Sequence, residues 1–414
     1  MAFLFLKFWN IYLKVVLTRI KKGSLIGKAI FKITRPFLFI VYLDKIEFMK
    51  TFMINLIFIL ISSTIIAQPE LNSWLLNPSG ETGYNNQLSN VQSIHYTNTD
   101  VYISCSCIPG YDIGPWAGNP NQAENQNFCF KITRSPQEAN NYQATGMGHI
   151  GVWSNGVSVF NAKDAFSYNN QGIWNQDAFV FEGSSFDECL GHPAPNGEYH
   201  NHINPTCLYD DLDDQNHSPI IGYAFDGFPI YGAYAYENSD GTGAIKRMET
   251  SYKLREIVQR NSLPDGTILN PSQYGPTVSS QNPLGNYLED YEYKEGYGDL
   301  NQFNGRFCIT PEYPEGIFAY FITISESGTP EYPYVIGPSY YGVVQSGNTG
   351  PQSGHNLIPN SANSHNLNID ETDNREPLLV KMIDILGREY KVHPPGRFLF
   401  YIYDNGITVK KIIY

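Results

Sequence analysis

Apolar residues in this chain fall in short runs broken by Gly, Pro, Asn and Ser, and several runs alternate with polar residues. Within residues 91–108, Ile94, Tyr96, Val101 and Ile103 stand among polar neighbours, a period that puts alternate side chains on one face of a strand. Phe128–Thr133 and residues 317–324, 379–385 and 398–403 read as further strands, rich in aromatic and β-branched side chains. Residues 109–127 and 261–285 are Gly-, Pro- and Asn-rich and read as loop. One helix is expected over 244–260, where Leu254, Ile257 and Val258 share a helical face.

Two stretches share a pattern. Ile150-Gly151, then Asn155-Gly156, then Val159-Phe160 is matched by Ile221-Gly222, Asp226-Gly227 and Ile230-Tyr231. Asn-Gly between apolar runs predicts a hairpin, and a type I′ turn needs two residues that tolerate φ > 0. A pair of related hairpins predicts a pseudo-symmetric β core.

The expected fold class is mainly β: one large β-rich domain with one or two short helices, plus a small C-terminal β unit. Met49-Lys50, an apolar run over 52–66 and then Ala67-Gln68 form a signal-peptide pattern over 49–67, with cleavage after Ala67. The run is short for a membrane span, so no stable span is expected in the mature chain; a retained anchor is the alternative. Residues 1–48 are basic, aromatic and long for a leader's basic segment, which suggests that translation starts at Met49. The main domain then covers 68–342. Residues 343–356, rich in Gly, Ser, Gln and Asn, read as a flexible linker, and 357–414 as the C-terminal unit.

Residues 1–67 hold 10 Lys or Arg and 2 acidic residues, which leaves 17 basic and 38 acidic residues in the remainder, a net charge of −21. Such a chain repels polyphosphate, so no nucleic acid is expected as a partner. All 6 cysteines follow residue 67, and an even number in an exported protein favours disulfides. Cys189 with Cys207 would brace the stretch richest in histidine. Cys105 and Cys107, two apart on a strand, are expected to take separate partners.

That stretch carries the candidate chemistry. On a strand, the His200 and His202 of Tyr199-His200-Asn201-His202 point to one side, roughly 6–7 Å apart, and two imidazoles so placed can share a metal ion. A third ligand is needed. His192, between Gly191 and Pro193, ranks next, then His217; His149 ranks lower, and Asp226 could ligate or orient a ligand. The metal would be copper or zinc. Structural histidines in a cell-surface binding module are one alternative. An extracellular hydrolase acting on glycans is another, served by the 24 Phe, 30 Tyr and 5 Trp as stacking surfaces. Its carboxylates could come from Asp187, Glu188, Asp210, Asp211, Asp213 and Asp214, but nothing singles out two. No nucleophile elbow appears, and Ser218 directly after His217 does not make a nucleophile–base pair.

These residues resemble the YHYH family, with Asn201 in place of the second tyrosine of its motif. Gly148-His149-Ile150-Gly151, Cys189-Leu190-Gly191-His192-Pro193, His217-Ser218-Pro219 and Asp226-Gly227-Phe228-Pro229-Ile230-Tyr231-Gly232 carry the same resemblance, as do Asn304-Gly305-Arg306-Phe307-Cys308 and Thr310-Pro311-Glu312-Tyr313-Pro314. The resemblance implies a secreted domain without an assigned reaction, and leaves the substrate unknown. The tail, with Val380-Lys381-Met382-Ile383-Asp384, Gly396-Arg397-Phe398 and Asp404-Asn405-Gly406, resembles the C-terminal sorting domain of Bacteroidetes type IX secretion. That likeness implies the export machinery as a partner and a secreted or cell-surface location. Deleting residues 357–414 is expected to stop delivery to the medium or surface, read by immunoblot of cell fractions; unchanged secretion would overturn the assignment.

Overall fold

A computed structural model of the chain describes residues 68–350, 353–365, 379–383, 388–391, 398–403 and 408–412. The chain divides into two compact units, Met1–Ala67 and Gln68–Tyr414, and the described residues all lie in the second. The expected start site and signal peptide therefore fall outside the described residues.

The second unit is mainly β, as expected. Its centre is an eight-stranded sheet, in the order Gly305–Cys308, Ile317–Phe321, Pro229–Tyr231, Ile220–Ala224, His149–Trp153, Ser158–Phe160, Tyr199–Asn201 and His192–Pro193. The two predicted hairpins sit side by side in its middle, where Val152 pairs with Tyr223, flanked by Trp153 with Gly222 and Gly151 with Ala224. This register is a local two-fold axis. Each half repeats the same path: a hairpin, then a strand parallel to its second arm, edged by an antiparallel partner. The correspondence reaches single residues. Both hairpins bulge before their glycine, at His149/Gly151 and at Ile220/Gly222. Leu190 and Asn304 occupy matching positions and both have positive φ, 59° and 61°.

The turns differ from type I′. Gly156 N donates to Trp153 O at 2.8 Å and Trp153 N to Val157 O at 2.8 Å, and only Gly156 has positive φ. The second turn repeats this, with Gly227 N to Ala224 O at 2.9 Å and Ala224 N to Phe228 O at 3.0 Å. One left-handed glycine closes a bulged turn in each. Asn155 and Asp226 keep negative φ and accept from Val157 N at 3.1 Å and Phe228 N at 3.2 Å. Their side-chain acceptors, not tolerance of a left-handed backbone, suit them to the turn.

Both faces of the central sheet are covered, so His149–Trp153 and Ile220–Ala224 are buried at every position. One face packs under loops, with Trp153, Val159, Ile230 and Tyr320 in its core. The other carries Val152, Tyr223, Tyr231 and Phe321 against a four-stranded sheet of Asn363–His365, Val91–Tyr96, Asp100–Cys105 and Phe128–Thr133. Part of the expected linker joins this second layer: Gln345 N donates to Phe225 O at 2.8 Å, and Asn348 Oδ1 accepts from Lys131 N at 2.9 Å. In the tail, Leu379–Ile383, Glu389–Tyr390, Phe398–Tyr403 and Thr408–Ile412 form an antiparallel sheet.

The helix expected over 244–260 is absent. Ile245–Arg247 pairs with Tyr234–Tyr236, and Tyr252–Leu254 with Tyr291–Tyr293. The aliphatic face that suggested a helix points outward: Leu254 is 44% and Val258 83% exposed. The arginines turn inward instead. Arg260 forks onto both oxygens of Asp290 at 2.7 and 2.8 Å and reaches the carbonyls of Pro276 and Pro283. A fully satisfied buried pair outweighs local helical preference here. The described helices are the four-residue turns Pro69–Asn72 and Ala178–Phe181, with several 3-10 turns.

A Cβ on Gly222 would stand 2.6 Å from Val152 O at the sheet's centre, where backbone cannot yield. Gly222→Ala is expected to cost about 1–3 kcal/mol in urea unfolding, whereas Gly146→Ala, with nothing within 4 Å, should be close to neutral.

Candidate metal centre

Tyr199–Asn201 lies near one edge of the central sheet, antiparallel to His192–Pro193, with His192 opposite His200. The expected alternation holds: His200 and His202 point the same way, and their Nε2 atoms are 3.1 Å apart. The register adds His192 beside them.

The loop that delivers His192 is gathered on one buried carboxylate. Asp187 accepts from Gly114 N, Trp116 Nε1, Cys189 N, Gly191 N and Tyr199 OH, all at 2.8–3.1 Å. Gly191 has no room for a side chain, since a Cβ there would run into the Tyr199 hydroxyl. Asn201 Nδ2 donates to the carbonyls of Cys189 and Leu190 at 3.1 and 2.9 Å. The Cys189–Cys207 disulfide is formed, with Cα atoms 5.1 Å apart. The expectation of further disulfides is corrected: Cys105, Cys107, Cys129 and Cys308 are free thiols. Cys105 and Cys107 are buried in the core, where burial raises both thiol pKa values.

A fourth donor comes from outside the histidine stretch. The helix Ala178–Phe181 is capped by Asp177, whose Oδ1 accepts from Phe179 N at 2.9 Å, and Glu182 follows at its C-terminal end. Glu182 Oε2 lies 3.0 Å from His192 Nε2 and 3.8 Å from His202 Nε2. One donor atom from each of Glu182, His192, His200 and His202 falls within 4.8 Å of all the others. A tetrahedral ion with bonds of about 2.0–2.1 Å sets its ligands about 3.3 Å apart, close to these separations.

Each imidazole is oriented through its other nitrogen. His192 Nδ1 meets Ser185 Oγ at 2.7 Å, His200 Nδ1 meets Glu198 O at 3.0 Å, and His202 Nδ1 meets Asn161 O. The two carbonyls require Nδ1–H, which frees the Nε2 lone pairs of His200 and His202 for a cation. Phe160 stacks on His200 at 3.8 Å between centroids, and Phe186 meets His192 edge-on at 4.9 Å. Burial pushes His192 down to about 4 and His200 and His202 below their ordinary values, and neighbouring histidines depress His200 further. Burial, and after it the neighbouring Glu182 carboxylate, raises the Asp164 pKa to about 6. The cluster floors a cleft of about 650 Å³ whose walls include Asn119, Lys163, Phe166 and Gln176.

The other candidates stand elsewhere. His217, expected as a fourth ligand, stands apart from the four converging donors: its Nδ1 meets Ser218 O at 2.8 Å, and its ring packs on Tyr231 and Tyr236 at 5.1 Å. Asp226 is buried beneath the second hairpin, where it accepts from Gly342 N at 2.8 Å and Tyr320 OH at 2.5 Å. His149 pairs with Glu198 at 2.8 Å. Glu182 was missed because no spacing rule links a helix end to a strand ten residues later.

Residues 129–333 match the family described as YHYH protein, a span that encloses all four converging donors. This stretch is a YHYH domain. No curated protein and no solved structure matches the chain. Against the local two-fold of this YHYH domain, His192, His200 and His202 correspond to Arg306, Ala319 and Phe321, so one half alone carries the cluster.

The lowered histidine pKa values fix a pH response. Below about 6.5 the unfolded chain binds protons that the folded histidines refuse, so stability falls with acidification. For His192 this window runs from about 6.5 down to about 4. Urea unfolding at stepped pH should show stability dropping by up to about 1.4 kcal/mol per pH unit for each such histidine, and less in a His192→Ala variant.

Proposed function

We propose that this YHYH domain is a transition-metal-binding domain that holds copper or zinc through Glu182, His192, His200 and His202. The carrying observation is the convergence of three imidazole Nε2 atoms and one carboxylate oxygen within 4.8 Å. A purely structural histidine cluster has no need of three neutral, buried rings with their lone pairs aimed at one point. Three nitrogens, one oxygen and no thiolate suit zinc and copper(II). The ion supplies a Lewis acid at the floor of the cleft when bound. Glu182, 23% exposed, is the most exposed of the four ligands, and Asp164 lines the same cleft.

The glycan-hydrolase alternative fares worse at this cleft. Of the two carboxylates that line it, Glu182 lies 3.0 Å from His192 Nε2 and belongs to the histidine cluster, which leaves Asp164 without a free carboxylate partner. Export is part of the proposal. It is supported by the leader pattern over 49–67, by the tail resemblance, and by the Cys189–Cys207 disulfide, a bond favoured in oxidising compartments. The four free cysteines weigh against an extensive disulfide framework without opposing one bridge.

Elemental analysis after exposure to copper and to zinc separately should give about one ion per chain. His200→Ala/His202→Ala should lose it, and Glu182→Gln should weaken binding at least tenfold. His217→Ala should keep full occupancy. Wild-type protein without stoichiometric metal would end this reading, and retention by the double variant would move the site elsewhere.

A further inference from the structure

A second cleft, of about 690 Å³, is lined by Phe128, Met147, His149, Glu198, Ser353 and His355 among others. None of its polar side chains belongs to the metal-binding set. His149 is 7% exposed and is held edge-on by three rings, Phe128 and Phe130 at 5.2 Å and Phe225 at 5.8 Å. Its Nδ1 lies 2.8 Å from Glu198 Oε1, and its Nε2 lies 2.9 Å from Ser353 Oγ. Glu198 is 5% exposed, and the same oxygen accepts from Ser158 Oγ at 2.6 Å.

This arrangement sets a tautomer. A carboxylate facing Nδ1 holds the ring proton there, which leaves the Nε2 lone pair facing the Ser353 hydroxyl. That hydroxyl also lies 2.9 Å from Asn348 O and 2.7 Å from Gly350 O. It has one proton for three acceptors. Turning that proton from a carbonyl to Nε2 moves no heavy atom. The segment carrying Ser353 is anchored on the outer sheet through Gly354, whose carbonyl accepts from Cys129 N at 2.6 Å.

We infer that Ser353, His149 and Glu198 act as nucleophile, general base and orienting carboxylate in the hydrolysis of carboxylic esters. Such triads are recognised by geometry and role on unrelated folds, so the missing nucleophile elbow is no objection. Ser353 Oγ attacks the ester carbonyl carbon while its proton passes to His149 Nε2. The bond to the alcohol oxygen breaks, Nε2 returns the proton to that oxygen, and the alcohol leaves. Water then attacks the acyl-serine carbonyl and gives a proton to Nε2. The bond to Ser353 Oγ breaks, the oxygen regains that proton, and a carboxylic acid is released. The step needs neither an oxidant nor a metal. Phe128 and Met147 give the cleft an apolar wall for a short acyl chain, and Gln126 and Asn196 add amide groups.

The test uses the full chain with two probes, a fluorophosphonate and p-nitrophenyl acetate. Peptide mapping should find one phosphonyl adduct per chain, on Ser353, and none in Ser353→Ala. Labelling and p-nitrophenol release should slow at least a hundredfold in His149→Ala. Glu198→Gln keeps the side-chain shape and should slow labelling at least tenfold, which serves if His149→Ala does not fold. Unfolding midpoints on the same samples show which variants are folded. Wild-type rates should be unchanged by a chelator, which separates this site from the histidine cluster. A folded wild-type protein without an adduct on Ser353, or one labelled as fast in His149→Ala and Glu198→Gln, overturns the inference.

Discussion

The two hairpins meet back to back at Val152 and Tyr223, and everything else in the domain is placed by that pairing. It works because both strands carry glycine where the other strand's backbone comes closest. A Cβ on Gly151 would lie 2.8 Å from Tyr223 O, and one on Gly222 would lie 2.6 Å from Val152 O. The constraint is reciprocal, as a two-fold requires. From this centre each half extends through a parallel strand and an edge strand, so the positions of His200 and Ala319, far apart in sequence, are equivalent in space.

That equivalence explains why the histidines can occupy a strand face at all. In the second half the corresponding face, with Ala319 and Phe321, is covered by the outer sheet and its apolar core. In the first half, rings and polar loops cover it instead: Phe160, Phe186 and the turn that carries Ser185 and Glu182. Burial there is deep enough to keep three imidazoles neutral, yet each keeps a partner for Nδ1. Uncompensated buried polar groups are costly, so the carbonyls of Glu198 and Asn161 are as much part of the cluster as the rings they orient. Asp187, with five donors converging on it, holds the loop that aligns His192 with His200.

Much of this was legible in the chain. Period-two alternation put His200 and His202 on one face, the Ile-Gly and Asn/Asp-Gly repeats marked the paired hairpins, and Cys189–Cys207 followed from its place around the histidines. Other features were not. The aliphatic spacing over 244–260 imitates a helix, but Arg260 and Asp290 satisfy each other only when that stretch is extended and its arginines turn inward. His217 sits in the same motif-rich stretch as the converging histidines, yet its strand neighbours belong to the other half of the sheet.

Short-range order is set by backbone sterics and side-chain period, both of which repeat within a few residues. The sequence by itself therefore determined the β class, the hairpins and the shared face of the His-x-His pair. Convergence of side chains across distant elements depends on strand register and on which surface each loop covers. Glu182 at a helix end, Asp164 beside it, and Ser353 against His149 are neighbours only because the sheet and its covering segments have closed around them. Those encounters were decided by the tertiary structure alone.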